Sequence, residues 1–208
     1  MLAIWAAIAI ELCKSGFWLM AVYLVWLVAT YMRPGEPLKI RRGDLVAPVR
    51  HVSHEWMVNL FPEERLHRSK ALAANESVSL LIHWAPWFSQ LVPLLAKGPS
   101  HERVFDFDYP TFFEIFNRAR SRLKFPKMSP YEARHSGPAI DVARGFRTKA
   151  EVKERGRWKN DKSVQRYEQR ARLAVTFRRL PLELQAHCRR CEDALGDVLL
   201  GRRQPEDV

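Results

Sequence analysis

Arginine, lysine, tryptophan and tyrosine are the side chains best suited to chemistry in this sequence. Two arginines offer planar, permanently charged forks that can hold the non-bridging oxygens of a phosphate. Tryptophan supplies an N–H donor that stays protonated, and lysine can act as a general acid. Tyrosine has an ordinary pKa of about 10, so it attacks a phosphate only where a cationic cluster favours its phenolate. This set of residue types suits phosphoryl transfer.

The candidate residues that matter most lie in two stretches of the chain. The first is TYMRPGE (30–36), which follows an apolar run and contains Arg33. The second extends from Tyr131 to Tyr167 and begins with YEARH (131–135). It continues with Gly156-Arg157-Trp158, and Tyr167 follows nine residues after Trp158.

In these stretches the sequence resembles the catalytic domain of the tyrosine recombinase (phage integrase) family. That family has a TGxRxxE-like motif, an HxxRH run, a GH or GW pair one helix later, and a tyrosine nine residues beyond. Its lysine lies on a β-hairpin between these motifs, where Lys70 lies here between two candidate strands. The resemblance covers about residues 1–175. Two positions depart from it: Tyr131 replaces the usual histidine, and Arg157 is inserted between Gly156 and Trp158.

The resemblance implies a role for each matched residue. Arg33, Arg134 and Trp158 would hold the scissile DNA phosphate, and the Tyr131 hydroxyl could donate a hydrogen bond to it. Tyr167 would attack the phosphorus and form a 3′-phosphotyrosine link, while Lys70 would protonate the departing 5′-oxygen. Glu36 would hold Arg33 by a salt bridge, and His135 would support the motif. Since the link conserves the bond energy, we expect no ATP, metal ion or other cofactor.

The charge of the chain indicates a polyanionic partner. The formal net charge is +11, and Arg118 to Arg179 alone contains 19 Lys/Arg against 6 Asp/Glu. Apolar residues interrupt this stretch throughout, which is typical of folded helices with one basic surface. A solvated charged face is the alternative. We interpret the surface as a site for double-stranded DNA, with contacts from Arg155, Arg157, Lys159 and Lys162.

Other kinds of catalytic site are not indicated. Cys188 and Cys191 form a single CxxC on an arginine-rich stretch, without the partner pair or histidines of a zinc site. The sequence contains no GxSxG motif and no glycine-rich phosphate loop. Three cysteines cannot all pair, which excludes a disulfide-stapled scaffold.

The element pattern predicts a mainly α chain with a small β-hairpin, an α+β class, and the resemblance implies the fold of a recombinase catalytic domain. The composition, 47% apolar and 27% charged over 208 residues, allows a real core. We expect strands at 54–60, 77–83 and 104–107. We expect helices at 86–96, 110–123, 129–144, 148–155, 163–179 and 182–200, with capping boxes starting at Ser129 and Thr148.

The first 29 residues contain two apolar runs, Met1 to Ile10 and Phe17 to Ala29. Neither reaches the roughly 18–20 residues that a bilayer core requires. We therefore predict two buried helices broken near Ser15-Gly16, and a membrane hairpin is the alternative. So apolar a start also suggests a missing preceding segment, as if the family's N-terminal DNA-clamping domain were absent.

We therefore expect a catalytic domain over residues 1–180, followed by a C-terminal helix and loose tail over 181–208. The expected function is DNA cleavage and rejoining in site-specific recombination or integration by a mobile element. The resemblance implies an intracellular tetramer on DNA, joined by exchange of C-terminal helices. Alternatives are a nicking–closing enzyme with the same residues, a non-catalytic DNA-binding remnant, and a membrane-anchored basic protein.

Overall fold

The computed structural model describes residues 2–60, 76–158, 160, 175 and 177–208. This part of the chain is mostly helical with one small antiparallel sheet, an α+β arrangement. The helices are α1 (Leu2–Lys14), α2 (Trp18–Thr30), α3 (Phe88–Ala96), α4 (Tyr109–Arg122), α5 (Tyr131–Arg144), α6 (Lys149–Arg155) and α7 (Leu182–Leu199). The strands are β1 (Leu45–Val46), β2 (Met57–Leu60) and β3 (Glu76–Ser79), and short 3₁₀ turns cover Pro37–Lys39, Arg42–Asp44 and Pro205–Asp207.

The two apolar helices α1 and α2 form the centre of the core. α1 packs against α2, α4 and α7, and α2 packs against α5. The side chains of Trp5 and Trp26 are completely buried. A helix that is apolar all round must be covered all round, so the buried-helix prediction is confirmed. The break falls at Gly16, whose φ of +81° suits glycine.

The alternative of a membrane hairpin requires helices that can span a bilayer. Among the helices of the described ranges, none has both the length and the apolar character needed to cross a bilayer.

The sheet has the order β1-β2-β3, and both pairs are antiparallel. The predicted hairpin is confirmed, since Met57 pairs with Ser79 and Leu60 pairs with Glu76. Strand β1 was not predicted because two residues carry no readable alternation. The predicted strand at 104–107 is wrong: there, the Val104 N–H bonds the Ile40 carbonyl at 3.0 Å without a continuing ladder.

Helices α5 and α6 begin close to their predicted starts. Glu132 accepts a hydrogen bond from the Ser129 N–H at 3.0 Å, and α5 begins one residue later than the capping box implied. Thr148 and Glu151 form a complete capping box for α6. Gly137 lets α5 approach the end of α2, because a Cβ there would lie 1.9 Å from the Val28 carbonyl oxygen. The predicted helix at 163–179 lies largely outside the described residues.

Helix α7 packs on α1 within the same core, so the described part of residues 181–208 is not a separate layer. Its buried face includes Cys188, Cys191 and Leu195. The end of the chain also differs from the loose tail that we expected. The 3₁₀ turn Pro205–Asp207 contacts α1, and Val208 packs against the core.

Candidate active site

The carboxylate of Glu36 gathers three arginines from separate parts of the chain. Its Oε1 accepts a hydrogen bond from Arg33 Nη1 at 2.9 Å, and its Oε2 accepts one from the Arg33 backbone N–H at 2.7 Å. Arg157 Nη2 also donates to Oε2. Arg134 Nη1 lies 3.8 Å from the same oxygen. We call Arg33, Arg134, Arg157 and Glu36 the arginine cluster.

The turn after α2 positions Arg33 and Glu36. Tyr31 ends α2 in the left-handed conformation, with φ of +58°, which turns the chain sharply out of the helix. The Glu36 N–H then bonds the Arg33 carbonyl at 2.8 Å. The hydroxyl of Tyr23, on α2, donates to the Pro34 carbonyl at 2.5 Å and fixes the turn to the core. The Arg33 side chain remains 55% exposed.

Arg134 is the buried member of the cluster, with a side chain only 1% exposed. Its Nη1 donates to the Tyr31 carbonyl at 2.5 Å, and its Nη2 donates to the Gly156 carbonyl at 2.9 Å. Burial lowers the pKa of Arg134 from its ordinary value, an effect that Glu36 opposes and the neighbouring arginines reinforce. Arg134 thus ties together the end of α2, α5 and the turn after α6.

Trp158 covers the guanidinium of Arg134. The Arg134 Cζ lies 5.1 Å from the centre of the indole ring, a cation–π distance. The indole also stacks on Tyr31, with ring centres 6.2 Å apart and an interplanar angle of 19°. Gly156 makes this fold-back possible, because a Cβ there would lie 1.9 Å from Trp158 Cζ3.

Tyr131 lies on the first turn of α5, one turn before Arg134. Its ring is 45% exposed and contacts His135 edge to face, with centres 5.1 Å apart. Electrostatic interaction with Tyr131 raises the pKa of Arg134 slightly against the lowering by burial. Tyr131 is thus a half-exposed phenol one helical turn before Arg134, and its contact with phosphate stays a prediction.

A second hydrogen-bonded group, formed by Tyr31, Asp141 and Arg147, packs next to the arginine cluster. The sequence did not indicate this group. The Tyr31 hydroxyl and Arg147 Nη1 both donate to Asp141 Oδ2, and Asp141 is completely buried. Burial and the Asp141 carboxylate raise the pKa of Tyr31 well above its ordinary value. Asp141 shares α5 with Glu132 and two arginines, and no sequence period distinguishes it. Of this second group, only Tyr31 lies in a motif that the sequence indicated, residues 30–36.

Arg155 packs against Tyr31 and the end of α2 inside the fold. Its Nη2 donates to the Ala29 carbonyl at 2.9 Å, and its guanidinium lies 5.3 Å from the centre of the Tyr31 ring. Burial lowers the pKa of Arg155 to about 10. Arg155 thus closes the carboxyl end of α2, and its contact with DNA stays a prediction.

Four of the predicted site residues lie outside the described residues: Lys70, Tyr167, Lys159 and Lys162. A described residue next to each of the segments that contain Lys70 and Tyr167 contacts the arginine cluster. Glu76, the first described residue after Lys70, lies 3.4 Å from Arg157 Nε. Trp158, nine residues before Tyr167, covers Arg134. The roles of Lys70 and Tyr167 stay predictions.

The CxxC cysteines show the environment of packing residues. Burial raises the pKa of Cys188 to about 12 and that of Cys191 to about 11, so both are thiols at neutral pH. Cys191 Sγ lies 3.4 Å from His187 Nε2. Within the ranges that the structure describes, no three His, Cys, Asp or Glu side chains are grouped as metal ligands.

The chain was also compared with known proteins. No protein-family model matches the sequence, and no curated protein or solved structure gives a match.

Proposed function

We propose that this chain cleaves and rejoins DNA strands through a 3′-phosphotyrosine intermediate, as a site-specific recombinase or integrase of a mobile element does. The observation that carries the proposal is the meeting of Arg33 and Arg134 on Glu36 with Trp158 stacked above. These residues belong to motifs that are about a hundred positions apart in the sequence. They are also the residues that the recombinase resemblance assigns to the phosphate.

The chemistry of the cluster suits a transferring phosphoryl group. Negative charge on the non-bridging oxygens is stabilised most by donors that are already in place before the reaction. Arg33 has an exposed side chain for direct contact, and Glu36 fixes its orientation. The neighbouring Arg134 is held rigidly by two carbonyls and adds a permanent charge. Tyr131 offers an exposed hydroxyl to the same phosphate.

The covalent step requires Tyr167 and Lys70. Tyr167 would first lose its phenol proton to water, which a cationic cluster favours, and its phenolate oxygen would then form a bond to phosphorus. The bond from phosphorus to the 5′-oxygen would break at the same time, and Lys70 would give that oxygen its proton. Religation is the reverse, with the 5′-hydroxyl as nucleophile. Nine residues of chain span at most about 30 Å and six span at most about 20 Å, which are upper limits for the distances of Tyr167 from Trp158 and of Lys70 from Glu76.

Double-stranded DNA is the partner that we propose, and the proposed location is accordingly intracellular. The net charge of +13 over residues 118–179 supports it, because phosphate contacts supply most of the affinity of such proteins. The proposed tetramer would exchange C-terminal helices. In the described chain α7 packs on its own α1, so exchange would require α7 to leave that contact.

A covalent trap tests the proposal. The substrate is a pool of random duplexes with bridging phosphorothiolates, whose sulfur leaving group prevents religation. We expect a denaturant-resistant protein–DNA adduct that Tyr167→Phe abolishes. Tyr109→Phe removes a hydroxyl from the start of α4 and is the matched control, which should retain the adduct. Binding without an adduct in the wild type would contradict the proposal.

The burial of Arg134 favours a second candidate, a DNA-binding protein without catalysis. Both terminal nitrogens of Arg134 donate to main-chain carbonyls, which suits a structural role. This candidate predicts salt-sensitive DNA binding and no covalent product in the same trap.

A further inference from the structure

Arg157 occupies an unusual place in the arginine cluster. It is the residue inserted between Gly156 and Trp158, the position at which the sequence departs from the recombinase pattern. Its backbone is left-handed, with φ of +55°, a conformation that side chains other than glycine, asparagine and aspartate rarely adopt. Strained positions of this kind persist where the surrounding structure holds them, often at binding sites.

The guanidinium of Arg157 is only partly satisfied by the protein. Its Nη2 donates to Glu36 Oε2, and its Nε lies 3.4 Å from Glu76 Oε2. The side chain is 10% exposed, and its buried Nη1 meets no acceptor among the residues that the structure describes. A buried charged donor without an acceptor is unfavourable, and an anion would correct it.

Arg33 and Arg157 lie side by side on one carboxylate. Arg33 Nη1 donates a hydrogen bond to Oε1 of Glu36, and Arg157 Nη2 donates one to Oε2. The two guanidinium groups therefore flank a single carboxylate. Among the residues that the structure describes, the three arginines of the cluster contact two acids, Glu36 and Glu76, and exceed them by one positive charge. The cluster is therefore suited to one more anionic oxygen between an exposed and a buried arginine.

We infer that Arg157 is a third phosphate-binding arginine, whose Nη1 donates to a non-bridging oxygen of the DNA phosphate held by Arg33. This inference rests on the proposed function and specifies how that site binds its substrate. A contact to phosphate carries no sequence information, so its loss weakens binding to all sequences alike. It also removes about one unit from the slope of log Kd against log salt concentration.

The left-handed backbone provides a sharp test. Arg157→Gly removes the side chain at a position that glycine tolerates, and His51→Gly is the matched control for a change to glycine at a left-handed residue. His51 has φ of +65° and lies outside the basic stretch 118–179. Binding of a random-sequence duplex is measured by fluorescence anisotropy at several salt concentrations. Circular dichroism checks that each variant is folded.

We expect Arg157→Gly to weaken binding about tenfold at low salt and to lower the salt slope by about one, while His51→Gly keeps the wild-type slope. An unchanged slope in Arg157→Gly, or equal reductions in both variants, would overturn the inference and leave the proposed function standing. Failure of the wild type to bind DNA would overturn both.

Glu76→Gln separates phosphate contact from a purely positioning role. The change removes a competing negative charge next to Arg157 and keeps a side chain of the same shape. If Arg157 contacts phosphate, Glu76→Gln should bind DNA at least as tightly as the wild type. If Arg157 acts only by holding Glu76, Glu76→Gln should weaken binding as Arg157→Gly does, and the inference would be wrong.

Discussion

The guanidinium of Arg134 donates a hydrogen bond at 2.5 Å to the main-chain carbonyl of Tyr31, which lies 103 positions earlier in the chain. The same side chain reaches the Gly156 carbonyl at 2.9 Å. One buried side chain thus joins the turn that holds Arg33 and Glu36 to the turn that holds Arg157 and Trp158. The geometry of the whole candidate site depends on this connection.

Removal of Arg134 should therefore destabilise the fold. In Arg134→Ala two buried carbonyls lose their donor, and the indole of Trp158 loses the group on which it packs. We expect the free energy of unfolding to fall by about 3 kcal/mol or more in urea titrations. Arg118→Ala, at an exposed arginine paired with Glu114, should change it by less than about 0.5 kcal/mol. Equal losses would contradict the assigned role.

Arg33 should behave in the opposite way. Its side chain is mostly exposed, and its ion pair with Glu36 joins residues only three positions apart in the sequence. Arg33→Ala should therefore lower the free energy of unfolding by less than about 1 kcal/mol. Loss of a donor to the developing charge should reduce adduct formation by about a hundredfold or more. The measurement is the rate of adduct formation in the phosphorothiolate trap. A rate near that of the wild type would remove Arg33 from the mechanism.

The close approach at Gly156 gives a packing prediction. A methyl group at this position would overlap the Trp158 ring, so Gly156→Ala must displace the indole from Arg134 and Tyr31. We expect a loss of about 1–3 kcal/mol, visible as a lower midpoint of thermal unfolding. Gly35→Ala is the control, since a Cβ there meets no atom within 4 Å in the described chain. A Gly156→Ala protein as stable as this control would show that Trp158 does not pack there.

Part of this architecture could be predicted from local sequence. The apolar runs, Gly16 and the Thr148 capping box specify their elements within a few residues, and alternation indicated β2 and β3. The meeting of Arg157 with Glu36, and the use of Arg155 inside the fold, depend on the approach of α2, α5 and α6. A count of charges cannot reveal which arginines are buried. It therefore could not distinguish Arg155, which bonds a main-chain carbonyl at the end of α2, from Arg157, for which we propose a phosphate contact.

Stability at alkaline pH should report on Tyr31. Burial and Asp141 raise the pKa of Tyr31 in the folded protein, so above the ordinary tyrosine pKa of about 10 the unfolded state loses a proton that the folded state keeps. The contribution of Tyr31 to stability should therefore fall as the pH rises above about 10. Tyr31→Phe should be less stable at pH 7, because Asp141 loses a donor. It should also lose less stability between pH 10 and 11, and an identical pH dependence would contradict the assignment.

The proposed mechanism joins Tyr167 covalently to DNA. To detect this link, the trapped adduct is digested with protease and nuclease, and mass spectrometry identifies the peptide that carries the nucleotide. We expect a phosphodiester on the phenol oxygen of Tyr167 and none on Tyr131. A nucleotide on another residue, or a wild-type protein that binds DNA and yields no linked peptide, would contradict it.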